Sequence, residues 1–278
     1  MTELAMIQEF DFQAYILRSR SQTGVPIPRI QNYAYIEDIE RSRQMAEREL
    51  LQRALNLGIH AWKLTQGRRI QTQSHDIPRS DRIAPLWADV CFQFQHTPMP
   101  LKLAPSQHPP IEAYGGDEGS FFTLSPQAYR MPAAPLRFAF GQAIGALDNG
   151  HVPWLTLLRT ADDVSRGFLS WTSQIPELLL HWRRSAQITQ DRAGLLAARD
   201  MSAAILIIMK SELDWDDSEI LREIRRYHEK RDVDWGEKFV ENRVRALELF
   251  AESRIYRRTS GRPIAEIDES VRKIYSIF

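Results

Sequence analysis

Apolar residues are densest between Leu195 and Met209, LLAARDMSAAILIIM. The run predicts a buried helix over Asp191–Leu213. Ala197, Ala198, Ala203 and Ala204 are small enough to let neighbouring elements approach closely. Amphipathic segments lie on both sides of it. Upstream, Thr160-Ala-Asp-Asp163 resembles a capping box, and Val164, Phe168, Trp171 and Ile175 follow at helical spacing until Pro176 interrupts them. Downstream, Asp216–Glu219 opens a helix with Ile220, Ile224 and Tyr227 on one face. Asp234–Glu237 opens another, carrying Val240, Val244, Leu247 and Ala251. A last helix over 263–278 places Ile264, Ile267, Val271, Ile274 and Phe278 at steps of 3, 4, 3 and 4.

The first half is less uniform. Glu37–Leu64 predicts one long helix whose apolar stripe is Ile39, Ala46, Leu50, Leu57, Ala61 and Leu64. The pairs Glu37–Arg41, Arg43–Glu47 and Glu49–Arg53 each add roughly 0.2–0.5 kcal/mol. Over 68–158, proline and glycine punctuate short apolar pieces. Alternation predicts strands at Ala88–Gln95 and Leu136–Phe140. Asp148-Asn149-Gly150 reads as a hairpin turn joining Phe140–Leu147 to Val152–Leu158, with Pro153 confining the second strand to an edge. Gln107–Gly119 reads as a long polar loop. Near the N-terminus, Phe10, Phe12, Ala14 and Ile16 alternate with polar residues, and Gly24, Pro26 and Pro28 then keep the chain extended. That stretch reads as an arm. It packs on its own domain, or Phe10, Phe12 and Ile16 dock on a neighbouring subunit by strand addition or swapping. The expected fold class is therefore α+β: an arm (1–36), a long helix (37–67), a β-rich segment (68–158) and a helical bundle (159–278).

Composition narrows the function classes only modestly. The chain has 278 residues, 43% hydrophobic and 26% charged, which is ordinary for a globular protein with a sizeable core. Lys+Arg and Asp+Glu both count 36, so the net charge is zero. This lowers the prior for a nucleic-acid-coating protein and favours association. With a single cysteine, Cys91, no intramolecular disulfide exists. MTELAMIQEFDF lacks the pattern of a signal peptide, and Leu195–Met209 is too short and too charged to span a bilayer, so a cytoplasmic protein without membrane contact is expected.

Chemical motifs are sparse. There is no phosphate-loop, dinucleotide, HExxH or GxSxG pattern. No two of the seven histidines share an i,i+3 or i,i+4 spacing, so neither metal nor cofactor is expected. Asp162-Asp163 and Asp214, Asp216 and Asp217 read as helix-start acids, and Asp117-Glu118 as solvated loop. Cys91 in an alternating strand reads as an inert thiol. Asp89 and Lys102 have the acid–lysine spacing of restriction-like nucleases, but Pro100 occupies the position of their second acid.

The most basic stretch is REIRRYHEKR, Arg222 to Arg231. Arg222, Arg225, Arg226, Tyr227, Lys230 and Arg231 compose a candidate nucleic-acid-binding face, against a solvated face balanced by Glu219, Glu223 and Glu229. Arg222 and His228 also fit an R-x5-H pattern, which resembles the signature of HEPN-type ribonucleases. The resemblance covers two residues. It implies metal-free RNA cleavage by an arginine and a histidine at a dimer seam. Six residues of straight helix leave these side chains about 120° apart, so they converge only across a kink or a two-fold axis.

Two functional classes follow. The first is a non-enzymatic interaction or assembly protein, a homo-oligomer or a subunit of a larger complex that touches nucleic acid. The second is a ribonuclease using Arg222 and His228.

Overall fold

The computed structural model of the chain describes residues 33–78, 81–104, 110–116, 119–164, 174–213, 217–230, 235 and 237–260. Of these, 75% are helical, and a small mixed sheet of four strands completes a mostly helical α+β fold. The proposed arm, with Phe10, Phe12 and Ile16, and the expected last helix lie outside the described residues.

The helices are α1 (Ile36–Ala46), α2 (Glu49–Trp62), α3 (Arg68–Gln73), α4 (Ile83–Gln93), α5 (Pro126–Tyr129), α6 (Ala133–Asp148) and α7 (Val152–Val164). They continue as α8 (Gln174–Ala198), α9 (Met201–Glu212), α10 (Asp217–Lys230), α11 (Lys238–Glu252) and α12 (Arg254–Ser260). The strands are β1 (His75–Asp76), β2 (Leu101–Leu103), β3 (Ile111–Gly116) and β4 (Gly119–Leu124). Their order is β1-β2-β4-β3, with β2 and β4 parallel and the other pairs antiparallel. Ala113 faces Phe122 in the β3–β4 pair.

The fold is centred on the packing of α6 against α8. A Cβ added to Gly141 would lie 2.6 Å from the Ala193 carbonyl oxygen and 2.7 Å from the Ala197 Cβ. One added to Gly194 would lie 2.8 Å from the Phe138 ring. The two helices thus meet backbone to backbone, and of the alanines expected to allow close approach Ala197 lies at this crossing. The largest core surrounds this crossing. Trp87 packs against Phe122 and Phe140, each with ring centroids 5.0 Å apart. Leu196, Ile208, Val244 and Phe250 belong to the same cluster. A second cluster joins Met45, Leu51 and Leu55 to Trp154, Leu157 and Trp182.

Several expected elements differ. The apolar run is not one helix over Asp191–Leu213. Arg199 takes φ 56° and ends α8, and the Asp200 side chain accepts from the Ala203 N–H at 3.1 Å to cap α9. The two ionised residues in the run are the corner itself. Ala88–Gln95 is the end of α4, because Trp87, Val90, Cys91 and Phe94 bury at helical spacing. Leu136–Phe140 belongs to α6, where Ala139 is as buried as its neighbours, so a short alternation carried no strand information. Asp148-Asn149-Gly150 is a helix end. Gly150 has φ 68°, its N–H donates to the Leu147 carbonyl at 3.1 Å, and His151 N–H donates to that of Ala146 at 2.8 Å. This is the hydrogen-bond pattern of a glycine-terminated helix. Pro153 then falls in the first turn of α7, where a proline costs no hydrogen bond. Thr160–Asp163 lies inside α7 and opens nothing. The expected loop over 107–119 contains β3. Glu37–Leu64 is two helices, broken at Glu47–Arg48, and α2 continues through a π-turn, Lys63–Gly67, into α3.

Candidate functional site

Helix α2 has two apolar faces. Leu51, Leu55, Gly58 and Trp62 are buried against α7 and the sheet. Trp62 stacks on Tyr114, with centroids 5.5 Å apart, and on Phe121 at 6.1 Å. Gly67 in the π-turn lies under the same indole, since a Cβ there would come within 3.1 Å of it. The stripe that periodicity selected is the other face. Leu50, Leu57 and Leu64 are 69%, 58% and 53% exposed, with Ala54 half-buried and Ala61 exposed beside them. On a helical wheel the two faces are centred about 110° apart. The expectation that Leu50, Leu57 and Leu64 face the core is therefore corrected: the leucines one and five positions on from Leu50 take that role.

The second feature is a cleft of about 300 Å³ between β3 and helices α6, α7, α8, α9 and α11. Its floor is ionic. Arg243, 2% exposed, donates from Nε and Nη2 to the two oxygens of Asp191 at 2.8 and 2.7 Å, and from Nη1 to Glu212 Oε1 at 2.6 Å. The two carboxylates hold the guanidinium pKa above its ordinary value despite burial, which acts the other way.

Three glutamines line the cleft: Gln142, Gln187 and Gln190. Gln142 Nε2 donates to Asp191 Oδ1 at 2.8 Å, and Gln187 Nε2 to Glu212 Oε1 at 3.3 Å. Gln190 Nε2 meets His151 Nδ1 at 3.2 Å. His151 is buried, and its Nε2 lies 2.9 Å from Asp38 Oδ2. That contact is too bent for a good hydrogen bond, yet close enough that a bare lone pair facing the carboxylate would be repelled. With the ring proton on Nε2, Nδ1 accepts from Gln190. Asp38 is fixed in turn by Ser42 Oγ at 3.2 Å, which accepts from Trp182 Nε1 at 2.9 Å. At the rim, Arg159 donates to the Ala113 carbonyl at 2.8 Å, lies 3.6 Å from Glu112 and covers the Tyr114 ring. Arg183, exposed, has no acidic partner among the described residues.

The basic segment lies on α10 and is divided. Arg222 Nε and Arg226 Nη1 both bond Glu223, at 3.3 and 2.8 Å. Arg225 is exposed. Tyr227 is buried and donates to Glu248 at 2.8 Å, so its ring belongs to the core. His228 Nε2 meets Ser202 Oγ at 2.7 Å. Arg222 and His228 thus bond different partners on one continuous helix. Lys230 ends that helix, and Arg231 lies outside the described residues. Asp89 pairs with Arg137 and Lys102 with Asp76, so they form no joint site. Cys91 is buried in α4, and burial pushes its thiol up to about 12.

The cleft residues escaped the sequence reading because they come from five helices and a strand. One signal was present: Arg243 interrupts the stripe Val240, Val244 and Leu247 at a buried position, and a buried charge needs partners. Among the described residues, no group of His, Cys, Asp and Glu is placed to hold a metal ion, and no helix is long and apolar enough to cross a membrane. Comparison with family models, curated proteins and solved structures finds no match, so a functional reading rests on the geometry of the chain's own residues.

Proposed function

We propose that this protein works by association, and that its partner across α2 is a second copy of the chain. The observation that supports the reading is the exposed face Leu50, Ala54, Leu57, Ala61 and Leu64. On α2, Leu50, Ala54, Leu57 and Ala61 follow the 4, 3 and 4 steps of a helix seam, and Leu64 continues them in the first part of the π-turn. Burying three leucines removes apolar surface from water at about 25 cal/mol per Å². Leucines alternate with alanines, which lets two helices approach closely.

The pattern is also nearly palindromic about Leu57. A two-fold axis there sets Leu50 of one copy against Leu64 of the other and brings the alanines face to face. A surface that complements itself under a two-fold is what a symmetric dimer requires. An antiparallel crossing also opposes the helix dipoles and brings Glu49 toward the Lys63 end of its mate. Zero net charge adds no long-range repulsion between copies.

Sedimentation velocity at tens of micromolar tests this. The wild type should sediment as a dimer and L57E as a monomer, with the same melting temperature at low concentration. A monomeric wild type, or a dimer that survives L57E, overturns the reading.

A further inference from the structure

We propose that the glutamine-lined cleft binds a small polyhydroxylated molecule carrying one acidic group, of the size of a monosaccharide phosphate. The argument begins with how the three amides are held. Gln142, Gln187 and Gln190 all turn an Nε2 donor into the wall, toward Asp191, Glu212 and His151. A carboxylate accepts only, and His151 Nδ1 accepts once its proton lies on Nε2 beside Asp38. The acceptor-only carboxylates therefore set the amides of Gln142 and Gln187, and Gln190 turns the same way when His151 carries its proton on Nε2. The Oε1 atoms of Gln142 and Gln187 are left over, and among the described residues neither receives a hydrogen bond. Amide acceptors gathered in one cavity select a ligand with several donors.

Donors come as ammonium groups, amides or hydroxyls. The charges decide against ammonium. The two nearest acids, Asp191 and Glu212, are both engaged by the buried Arg243, while Arg159 and Arg183 stand at the cleft. Three guanidinium groups, Arg159, Arg183 and Arg243, outnumber these two carboxylates, so a cation would meet net positive charge. A hydroxylated ligand satisfies the amide oxygens without that repulsion. Arg183 supplies a guanidinium with no acidic partner among the described residues, suited to one phosphate or carboxylate. The volume of about 300 Å³ is at the small end of ligand sites and suits a single sugar ring with its acid. The walls are built in advance. Asp38, His151 and Asp191 are all buried and set the amides before any ligand arrives.

The test is calorimetric titration of the full chain with ribose 5-phosphate, D-ribose and inorganic phosphate. Ribose 5-phosphate should bind at least tenfold more tightly than either half. Q187L and R183A should each weaken it by tenfold or more, with melting temperatures close to wild type. L57E is the control. It changes the oligomer but should leave ribose 5-phosphate affinity unchanged, which separates this site from the dimer. No heat with ribose 5-phosphate at millimolar concentration overturns the proposal. So does phosphate alone binding as tightly, or affinity that R183A and Q187L leave intact. D-ribose binding as well as its phosphate overturns the role given to Arg183.

Discussion

Arg243 and Asp191 form a two-pronged, fully buried pair, with Nε···Oδ2 at 2.8 Å and Nη2···Oδ1 at 2.7 Å. It ties α11 to α8 at the base of the cleft, and Glu212 extends it to α9. Removing the arginine leaves two carboxylates without their counter-charge. R243M should therefore lower stability by roughly 3–5 kcal/mol, the usual cost of breaking one side of a buried pair. Urea unfolding followed by circular dichroism measures it. A loss under about 1 kcal/mol would mean that water already reaches Asp191 and Glu212, since solvated carboxylates need no counter-charge.

The α6–α8 crossing has no room for a methyl group. G141A brings a Cβ within 2.6 Å of a backbone carbonyl and G194A within 2.8 Å of a packed ring. Both should destabilise by about 1–3 kcal/mol, although alanine favours helix elsewhere. G150A removes the residue at φ 68° that ends α6, with nothing near its side chain, so its cost is conformational: about 1 kcal/mol. Comparing denaturation midpoints for the three separates crowding from backbone strain.

Alkaline pH should weaken the fold. Tyr33 is buried and donates to Asp148 Oδ2 at 3.0 Å. Burial first, then the Asp148 charge, raises its pKa well above the ordinary value near 10. Burial likewise lifts Cys91 to about 12. Above pH ~9 the unfolded chain starts to release protons that the folded chain keeps, first from the thiol and then, near 10, from the phenol. The unfolded state then binds fewer protons, so unfolding free energy falls as pH rises. Below pH ~8 neither group contributes a slope. Y33F should flatten the decline between pH 9.5 and 11, measured as urea midpoints. It also loses the Asp148 hydrogen bond, which lowers stability at neutral pH by about 1 kcal/mol.

The Cys91 thiol should react with a disulfide reagent at pH 8 only as fast as the core opens. Burial and a raised pKa keep it neutral and covered. Addition of 6 M guanidinium should restore ordinary thiol reactivity. Rapid labelling of the native chain would show that α4 separates readily from the core. A double variant, G141A with G194A, should label faster than wild type, because it loosens the packing that α4 shares.

Sequence alone carried an α+β class with a helical C-terminal part, helices beginning close to Asp217 and Lys238, and Ala197 as a small residue where helices meet. These depend on local apolar spacing and on side-chain size, which a short window of residues carries. It could not decide between the two apolar faces of α2. Leu50, Leu57 and Leu64 repeat as regularly as Leu51, Leu55 and Trp62, and periodicity reports that a face is apolar without saying what covers it. It also misassigned α4 and α6. In α6, buried on most sides, the apolar residues lose their 3.6 period and a short window imitates a strand; in α4 the window from Ala88 left out Ile83 and Trp87, which complete the helical stripe. Asn149-Gly150 requires a positive φ in either a hairpin or a helix end, so only the hydrogen bonds from Gly150 and His151 back to α6 settled which it was. The cleft was the tertiary structure's alone. Asp38, His151 and Gln190 are far apart in the chain, and only the packing of α1 and α8 around the residue that leads into α7 brings them together.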